Sequence, residues 1–307
     1  MEQNKDNKSN VVTSDIDKLK LFFKKGKEHR TISEITHFSD IDGIYRWTNE
    51  YMNLYPKESL EGKSVLTVTS SADHALEAIL CGATNIDSID INIFCKYYSA
   101  LKIAMIKKYD YSKFFHNIML FTSEYFISEK KEILEQISMY LTPSEIEFLN
   151  TYINRGAFSS IFCGTTDGSR NIYYCEKKYN ELKDRLDDIN INYYDSDLVN
   201  IDKVIPDKKY DCMYLSNVLE RVLGCYGSEK LNKKNTDELL QTLIKHLNDY
   251  GLMYNYFLGL ESVDLDEIFK IYAPKYMDMF NCNYYYDEYN YRKFGGKDAG
   301  LITMKKK

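Results

Sequence analysis

Several things are scarce in this chain, and each scarcity closes off a class of protein. Only four prolines occur in 307 residues, which leaves no Pro-rich linker or polyproline ligand. No run of 18 apolar residues is present, and the segment Met1-Glu-Gln-Asn-Lys-Asp-Asn-Lys-Ser-Asn10 lacks the apolar core of a secretory signal. A cytoplasmic protein without a transmembrane segment is therefore expected. The seven cysteines are scattered, with no Cys-x-x-Cys pair, so they read as reduced thiols rather than a disulfide framework or zinc site, and no metal is expected. Positive charge is not in excess: the net charge of −6 argues against a chain-wide nucleic-acid face and leaves room only for a local basic patch. Neither Gly-x-Gly-x-x-Gly nor a P-loop occurs, so the bare backbone that cradles a pyrophosphate is missing.

What is present is a strand, a tight turn, a helix, a second strand and an acid. Val65-Leu-Thr-Val-Thr ends at Ser70-Ser71, and apolar residues then recur at helical spacing at Ala75, Leu76, Ile79 and Leu80. Asn85-Ile-Asp-Ser-Ile-Asp90 is the second strand, and Asp90 lies twenty residues after Ser70. That is the distance at which a βαβ nucleotide-binding unit carries an acid for a ribose hydroxyl. A ligand with a ribose and an adenine but no phosphate fits a turn without glycines, and S-adenosylmethionine is such a ligand. The candidate cofactor contacts on this unit are Thr69, Ser70, Ser71, Asp73, Asp90, Ile91 and Asn92. Ser70 is placed to cap the helix with Asp73 three residues on, leaving first-turn amides near a ligand carboxylate. The plain alternative is that both residues only cap.

At these residues the chain resembles a known family. The pattern VLTVTSSADHALEAILCGATNIDSIDIN, with LKIAMI at 101–106, is similar to a bacterial family of S-adenosylmethionine-dependent transferases related to the 3-amino-3-carboxypropyl transferases that build the betaine-lipid headgroup. The resemblance covers about residues 60–108 and again 210–218. It implies a class I methyltransferase-like, Rossmann-like α/β fold with a mostly parallel sheet. Ala72 and Asp73 stand where methyltransferases usually have glycines, and Ile93 follows Asn92 where the related pattern often has proline.

The remaining chain divides coarsely. Residues 1–14 form a disordered tail, 15–60 a helical cap, and 61–307 the cofactor domain with a helical insertion at about 110–188. Tyr45 or Trp47, just ahead of the first strand, is placed either to cover a ligand or to pack in the core. Apolar positions at 94, 97, 98, 101, 104 and 105 make a helix to about Lys108. Within the insertion, Thr142-Pro-Ser-Glu145 is a capping box, Gly156 suits a helix end, and a helix runs from Glu176 to about Asp187. The loop Phe158–Arg170 is the candidate specificity element, or else a surface connection. Phe114, Phe115, Ile118, Met119, Leu120 and Phe121 suit either an apolar channel for a lipid acceptor, with peripheral membrane contact, or core packing.

Asp195 and Asp197 follow a third strand at 191–195. In class I methyltransferases an acid here reaches the adenine amino group, although Asp and Ser also favour plain turns. The fourth strand, 211–216, runs into Asn217. Ser216 is a cofactor candidate, Ser216 and Asn217 are candidates for positioning an acceptor nucleophile, and Glu220 is a candidate base if it faces inward; capping by Ser216 or Asn217 and a solvated Glu220 are the alternatives. A helix from about Asn235 is expected to end at Asn248-Asp-Tyr-Gly251, with strand five at Leu252–Phe257. Tyr276–Tyr285 and Leu301–Met304 pair as a terminal antiparallel hairpin, and Lys305-Lys306-Lys307 reads as a solvated tail.

Two functions follow as expectations. One is a transferase moving a methyl or 3-amino-3-carboxypropyl group from S-adenosylmethionine to a small-molecule or lipid acceptor. The other is a non-catalytic S-adenosylmethionine-binding protein of the same fold. Acceptor and oligomeric state are not readable from the chain.

Overall fold

Seven strands rich in Val, Ile, Leu, Tyr and Met build the sheet that organises the molecule. In the computed structural model, residues 14–17, 44–123, 125–154, 162–163, 168–223, 233–257, 276–287 and 299–307 are described. The strands are β1 (Ser64–Val68), β2 (Asn85–Asp90), β3 (Asn190–Asp195), β4 (Tyr210–Tyr214), β5 (Leu247–Phe257), β6 (Phe280–Tyr286) and β7 (Gly300–Lys306). Their order across the sheet is 3-2-1-4-5-7-6. Strands 1 to 5 pair in parallel, and β7 pairs antiparallel with both β5 and β6. This is the class I methyltransferase-like arrangement expected from the sequence. The order reverses between β1 and β4, and in open α/β sheets that switch point, beyond the strands' carboxyl ends, is where ligands bind.

Alternate residues of each strand feed two separate cores, as a sheet covered on both faces requires. Val65, Ile86, Tyr214, Tyr254 and Tyr256 join one core with the helices α1 (Asp73–Leu80), α2 (Ile93–Lys108) and α3 (Tyr111–Phe121). The same core takes in α4 (Ile127–Ile137), α5 (Pro143–Asn154) and α6 (Glu176–Arg185). Leu66, Ile89, Met213, Leu215, Met253 and Phe257 join the other with α7 (Ile201–Val204), α8 (Val218–Leu223) and α9 (Lys233–Lys245). The helix α1 is buried along its whole length, including Asp73, His74 and Glu77. Each of these charges finds a partner from another element: Lys102, Glu50 and Lys57 respectively.

The capping box at the start of α5 forms in both directions, Thr142 N–H donating to Glu145 (2.7 Å) and Glu145 N–H to the Thr142 hydroxyl (3.3 Å). Three expectations need correction. Residues 44–60 are not helical: Ile44–Tyr45 pairs in parallel with Phe162–Cys163, and a single 3-10 turn follows at Met52–Leu54. There, side chains elsewhere in the fold take up backbone amides that a helix would use internally: Asp73 receives Thr48 N–H at 2.6 Å and the Tyr256 hydroxyl receives Tyr51 N–H at 3.5 Å. The helix α9 stops at Lys245, and 247–251 already belong to β5, in a stretch where the pairing with β4 shifts register. Tyr250 is left-handed there (φ 62°), and a Cβ on Gly251 would lie 2.8 Å from the Asn248 carbonyl oxygen. Lys305 and Lys306 are not tail but the end of β7.

Apolar residues of α3 are core rather than channel. Phe114, Ile118 and Phe121 are fully buried, and Phe115, Met119 and Leu120 pack against the same cluster. Trp47 lies in that cluster too, 5.4 Å from the Phe115 ring and 6.1 Å from Phe114. Among the described residues, no helix is long and apolar enough to cross a membrane. Gly156 lies outside the described residues, as does most of the 158–170 loop.

Candidate functional site

The site is assembled at the carboxyl ends of β1 to β4, where the chain leaves the sheet through unusual backbone. Ser70 (φ 42°) and Ala72 (φ 70°) are both left-handed, a conformation that costs a side-chain-bearing residue roughly 1–2 kcal/mol. Ala72 N–H donates to the Thr69 carbonyl at 2.7 Å and closes the turn. The capping expected of Ser70 is therefore replaced: α1 begins two residues later, with Ala72 at the N-cap and no side-chain cap. Ser70 instead gives its backbone N–H to Asp90 Oδ2 at 2.8 Å.

Asp73 is the anchor of this turn. Its Oδ2 accepts the Ser71 hydroxyl (2.8 Å) and Thr48 N–H, and its Oδ1 accepts Lys102 Nζ (2.8 Å) and the Tyr173 hydroxyl. Lys102, itself fully buried, also donates to the carbonyls of Ser71 (2.6 Å) and Arg46 (3.1 Å) and lies 4.6 Å from the Trp47 ring centre. Burial lowers the Lys102 pKa and Asp73 works the other way. Thr69, also buried, accepts from Ser88, which accepts from Thr67. So Thr69, Ser71 and Asp73 spend these contacts on holding the turn in shape.

The acid at the end of β2 is different. Asp90 is only partly buried, its Oδ1 accepts Asn92 N–H at 2.9 Å, and it pairs in register with Asp195 at the end of β3. Burial raises its pKa, and the amides of Asn92 and Ser70 oppose that rise. An ionised carboxylate has about four lone-pair directions, of which these two amides and the Cys95 thiol take up three. Ile91 next to it is 45% exposed, an apolar side chain at the strand end. Asn92 caps α2 through Phe94 N–H (3.0 Å). Asp197 caps the short turn after β3 through Val199 N–H (3.1 Å), whereas Asp195 is exposed at the crevice. The structure thus separates the two acids that the sequence left undivided.

Across the switch point, Ser216 follows the end of β4 by two residues and is left-handed at φ 52°. Its hydroxyl donates to Glu50 Oε1, while Glu50 Oε2 accepts the Tyr55 hydroxyl and lies 2.8 Å from His74 Nε2. Burial opposes charge on Glu50, but His74, Ser216 and Tyr55 outweigh it and hold Glu50 below the ordinary carboxylate range. Burial likewise opposes charge on His74, and Glu50 raises it. Beneath lies a box of tyrosines: Tyr55 stacks on Tyr214 (5.6 Å) and Tyr256 (6.4 Å), and Tyr214 lies 4.8 Å from Tyr254. Tyr256 and Arg170 both bond to Asp287, tying β5, the insertion and the end of β6 together. Asn217 is buried beside Ser216, and Glu220 is buried in α8 rather than solvated.

Glu50, Tyr55 and His74 were missed by the sequence reading. The available signal was His74 with Glu77 inside an otherwise apolar helix, since buried ionisable groups demand partners.

No family model and no curated protein matches the chain. Among solved structures it is similar to the rRNA methyltransferase aviRa from Streptomyces viridochromogenes, with 8% identity, 90% of this chain and 94% of that one covered, and a TM-score of 0.42. It is also similar to an rRNA methylase from Streptococcus thermophilus, at 7% identity over 83% and 91% of the two chains with a TM-score of 0.39. A third is the N-methyltransferase NodS from Bradyrhizobium japonicum in complex with S-adenosyl-L-homocysteine, at 7% identity over 79% and 76% with a TM-score of 0.33. Overlaps this loose assign no activity, and the fold rests on the strand order itself.

Proposed function

We propose that the chain is an S-adenosylmethionine-dependent transferase. The observation that carries this reading is Asp90, set against the Ser70 turn at the switch point of a 3-2-1-4-5-7-6 sheet, with no glycine cradle for a phosphate. Asp90 would hold the ribose hydroxyls, Ile91 a face of the adenine, and Asp195 its amino group. Ser70 and Asn92 line the same turn, and Ser216 and Asn217 face the sulfonium side. Asp73, Ser71 and Thr69 act one step back, fixing the turn that carries Ser70.

Bound S-adenosylmethionine supplies an electrophilic carbon next to a sulfonium. This chain's residues then have to align an acceptor with that carbon and keep water out. The acceptor forms a bond to the carbon, the carbon–sulfur bond breaks with its electron pair left on sulfur, and the acceptor gives up a proton. Glu220, buried near Ser216 in sequence, is the candidate base. Methyl transfer leaves S-adenosylhomocysteine, whereas 3-amino-3-carboxypropyl transfer leaves methylthioadenosine.

A second reading, a non-catalytic binding protein, draws on Ala72: a methyl group occupies a left-handed position where methyltransferases usually have glycine. Incubating the protein with S-adenosylmethionine and a cell extract, then analysing nucleoside products by mass spectrometry, decides between these readings. Protein-dependent S-adenosylhomocysteine marks a methyltransferase. Methylthioadenosine, with an extract-free control excluding cofactor cleavage, marks aminocarboxypropyl transfer. Neither product together with measurable cofactor binding overturns the enzyme in favour of the binding protein.

A further inference from the structure

The hydroxyl of Ser216 has one proton, and the surroundings dictate where it goes. Its nearest partner is Glu50 Oε1, and a carboxylate only accepts. The alternative acceptor, Asn217 Oδ1, is 3.4 Å away, at the weak end of hydrogen-bond geometry. Glu50 cannot turn aside, because Oε2 is fixed by the Tyr55 hydroxyl and by His74, and the residue is only 3% exposed. Tyr55 is in turn clamped between Tyr214, Tyr254 and Tyr256. Ser216 itself is held by its carbonyl, which accepts Tyr256 N–H at 2.8 Å.

We propose that Glu50, fixed by Tyr55 and His74, is a positioning residue that commits the Ser216 proton inward. It thereby makes the Ser216 oxygen an obligate hydrogen-bond acceptor at the switch point, one that selects a ligand group bearing an N–H or O–H donor. The inference rests on the transferase reading. Two sources carry such a donor there: the ammonium of the cofactor's amino-acid tail, and the nucleophile of the acceptor. A carbonyl or carboxylate at this place would meet lone pairs and be rejected.

The test uses Ser216→Gly and Glu50→Gln. Glycine is at ease at φ 52°, so the first variant removes the hydroxyl without straining the turn. The second keeps the shape but supplies an amide that can donate to Ser216, freeing the serine proton to point outward. Titration calorimetry compares S-adenosylhomocysteine with its analogue lacking the amino group. If the donor is the ammonium, the full-length protein prefers S-adenosylhomocysteine by roughly tenfold or more, the scale of one charge-assisted hydrogen bond, and both variants lose that preference. If the donor belongs to the acceptor, the preference is unchanged in both variants while turnover with the cell extract falls roughly tenfold.

In either case Glu50→Gln adds nothing in a Ser216→Gly background, which a merely structural role would not produce. Unchanged preference and unchanged turnover in both single variants overturn the inference. So does a Glu50→Gln effect that persists in full without the Ser216 hydroxyl. Failure of the unaltered protein to bind S-adenosylhomocysteine at all overturns the transferase reading beneath it, a result distinct from the other two.

Discussion

Asp87 and Asp90 lie three residues apart on β2, one toward the amino half of the sheet and the other at its carboxyl edge. Asp87 is buried and saturated: it accepts the Tyr210 hydroxyl at 2.6 Å and Asn192 Nδ2 at 2.9 Å, and pairs with Lys208 at 2.6 Å. Around it the pattern repeats, with Asp211 taking Ser64 N–H (2.8 Å) and Asn248 (2.9 Å), and His246 bonding Asp202 and the Lys208 carbonyl. Asp90 takes two backbone amides and the Cys95 thiol, beside an exposed Ile91 and a second acid. One end of the sheet completes its polar contacts across neighbouring strands, which is what stability asks for. The other sets its acids beside left-handed turns, the kind of strained backbone that functional sites carry.

The contrast can be broken at three points. Asp90→Ala should weaken S-adenosylhomocysteine binding by roughly 100-fold, measured by calorimetry, while stability in urea falls by only about 1 kcal/mol. Unchanged affinity would remove Asp90 from the site and dissolve the distinction. Asp87→Ala should do the opposite, lowering stability by about 2 kcal/mol because the buried Tyr210 hydroxyl and the Asn192 amide lose their acceptor. Lys208 is 39% exposed and turns to water, so its charge adds little to that loss. Cofactor affinity per folded molecule should stay within about twofold of the parent, on the scale of a site with no shared partner. The smallest effect sharpens the comparison from the side of backbone strain. Tyr250 is 75% exposed and left-handed in the amino half of β5, so Tyr250→Gly should raise stability by about 0.5–1 kcal/mol and leave binding alone. A loss of stability instead would mean that the tyrosine contributes contacts that outweigh its strain.

Much of the fold was legible because its signals are local. The change from a run of apolar and β-branched residues to helical spacing after the Ser70-Ser71 turn marked β1 and α1, the twenty-residue spacing marked Asp90 at the end of β2, and Thr142 with Glu145 marked the start of α5. The turn at Ser70 was misread because a cap at Ser70 and a left-handed turn with the cap at Ala72 use the same small residues, and only the backbone distinguishes them. The 44–60 stretch was misread for a different reason. Its side-chain and amide partners include Asp73, His74, Lys102, Ser216 and Tyr256, contacts made across the fold that no local pattern records. The alternation of Asp195 and Asp197 indicated that the two acids part ways, but not what each does. The cap that Asp197 gives Val199 N–H is a contact the sequence pattern did not single out.

The bond between Glu50 and Ser216 spans 166 residues of chain. During synthesis at about 5–20 residues per second, Glu50 leaves the ribosome roughly ten to thirty seconds before its serine partner exists. Through that interval the 44–57 segment is without the strand that completes its docking, although β1, α1 and β2 are already made. A segment made ahead of β1 thus waits for β4 before its Glu50–Ser216 contact can form.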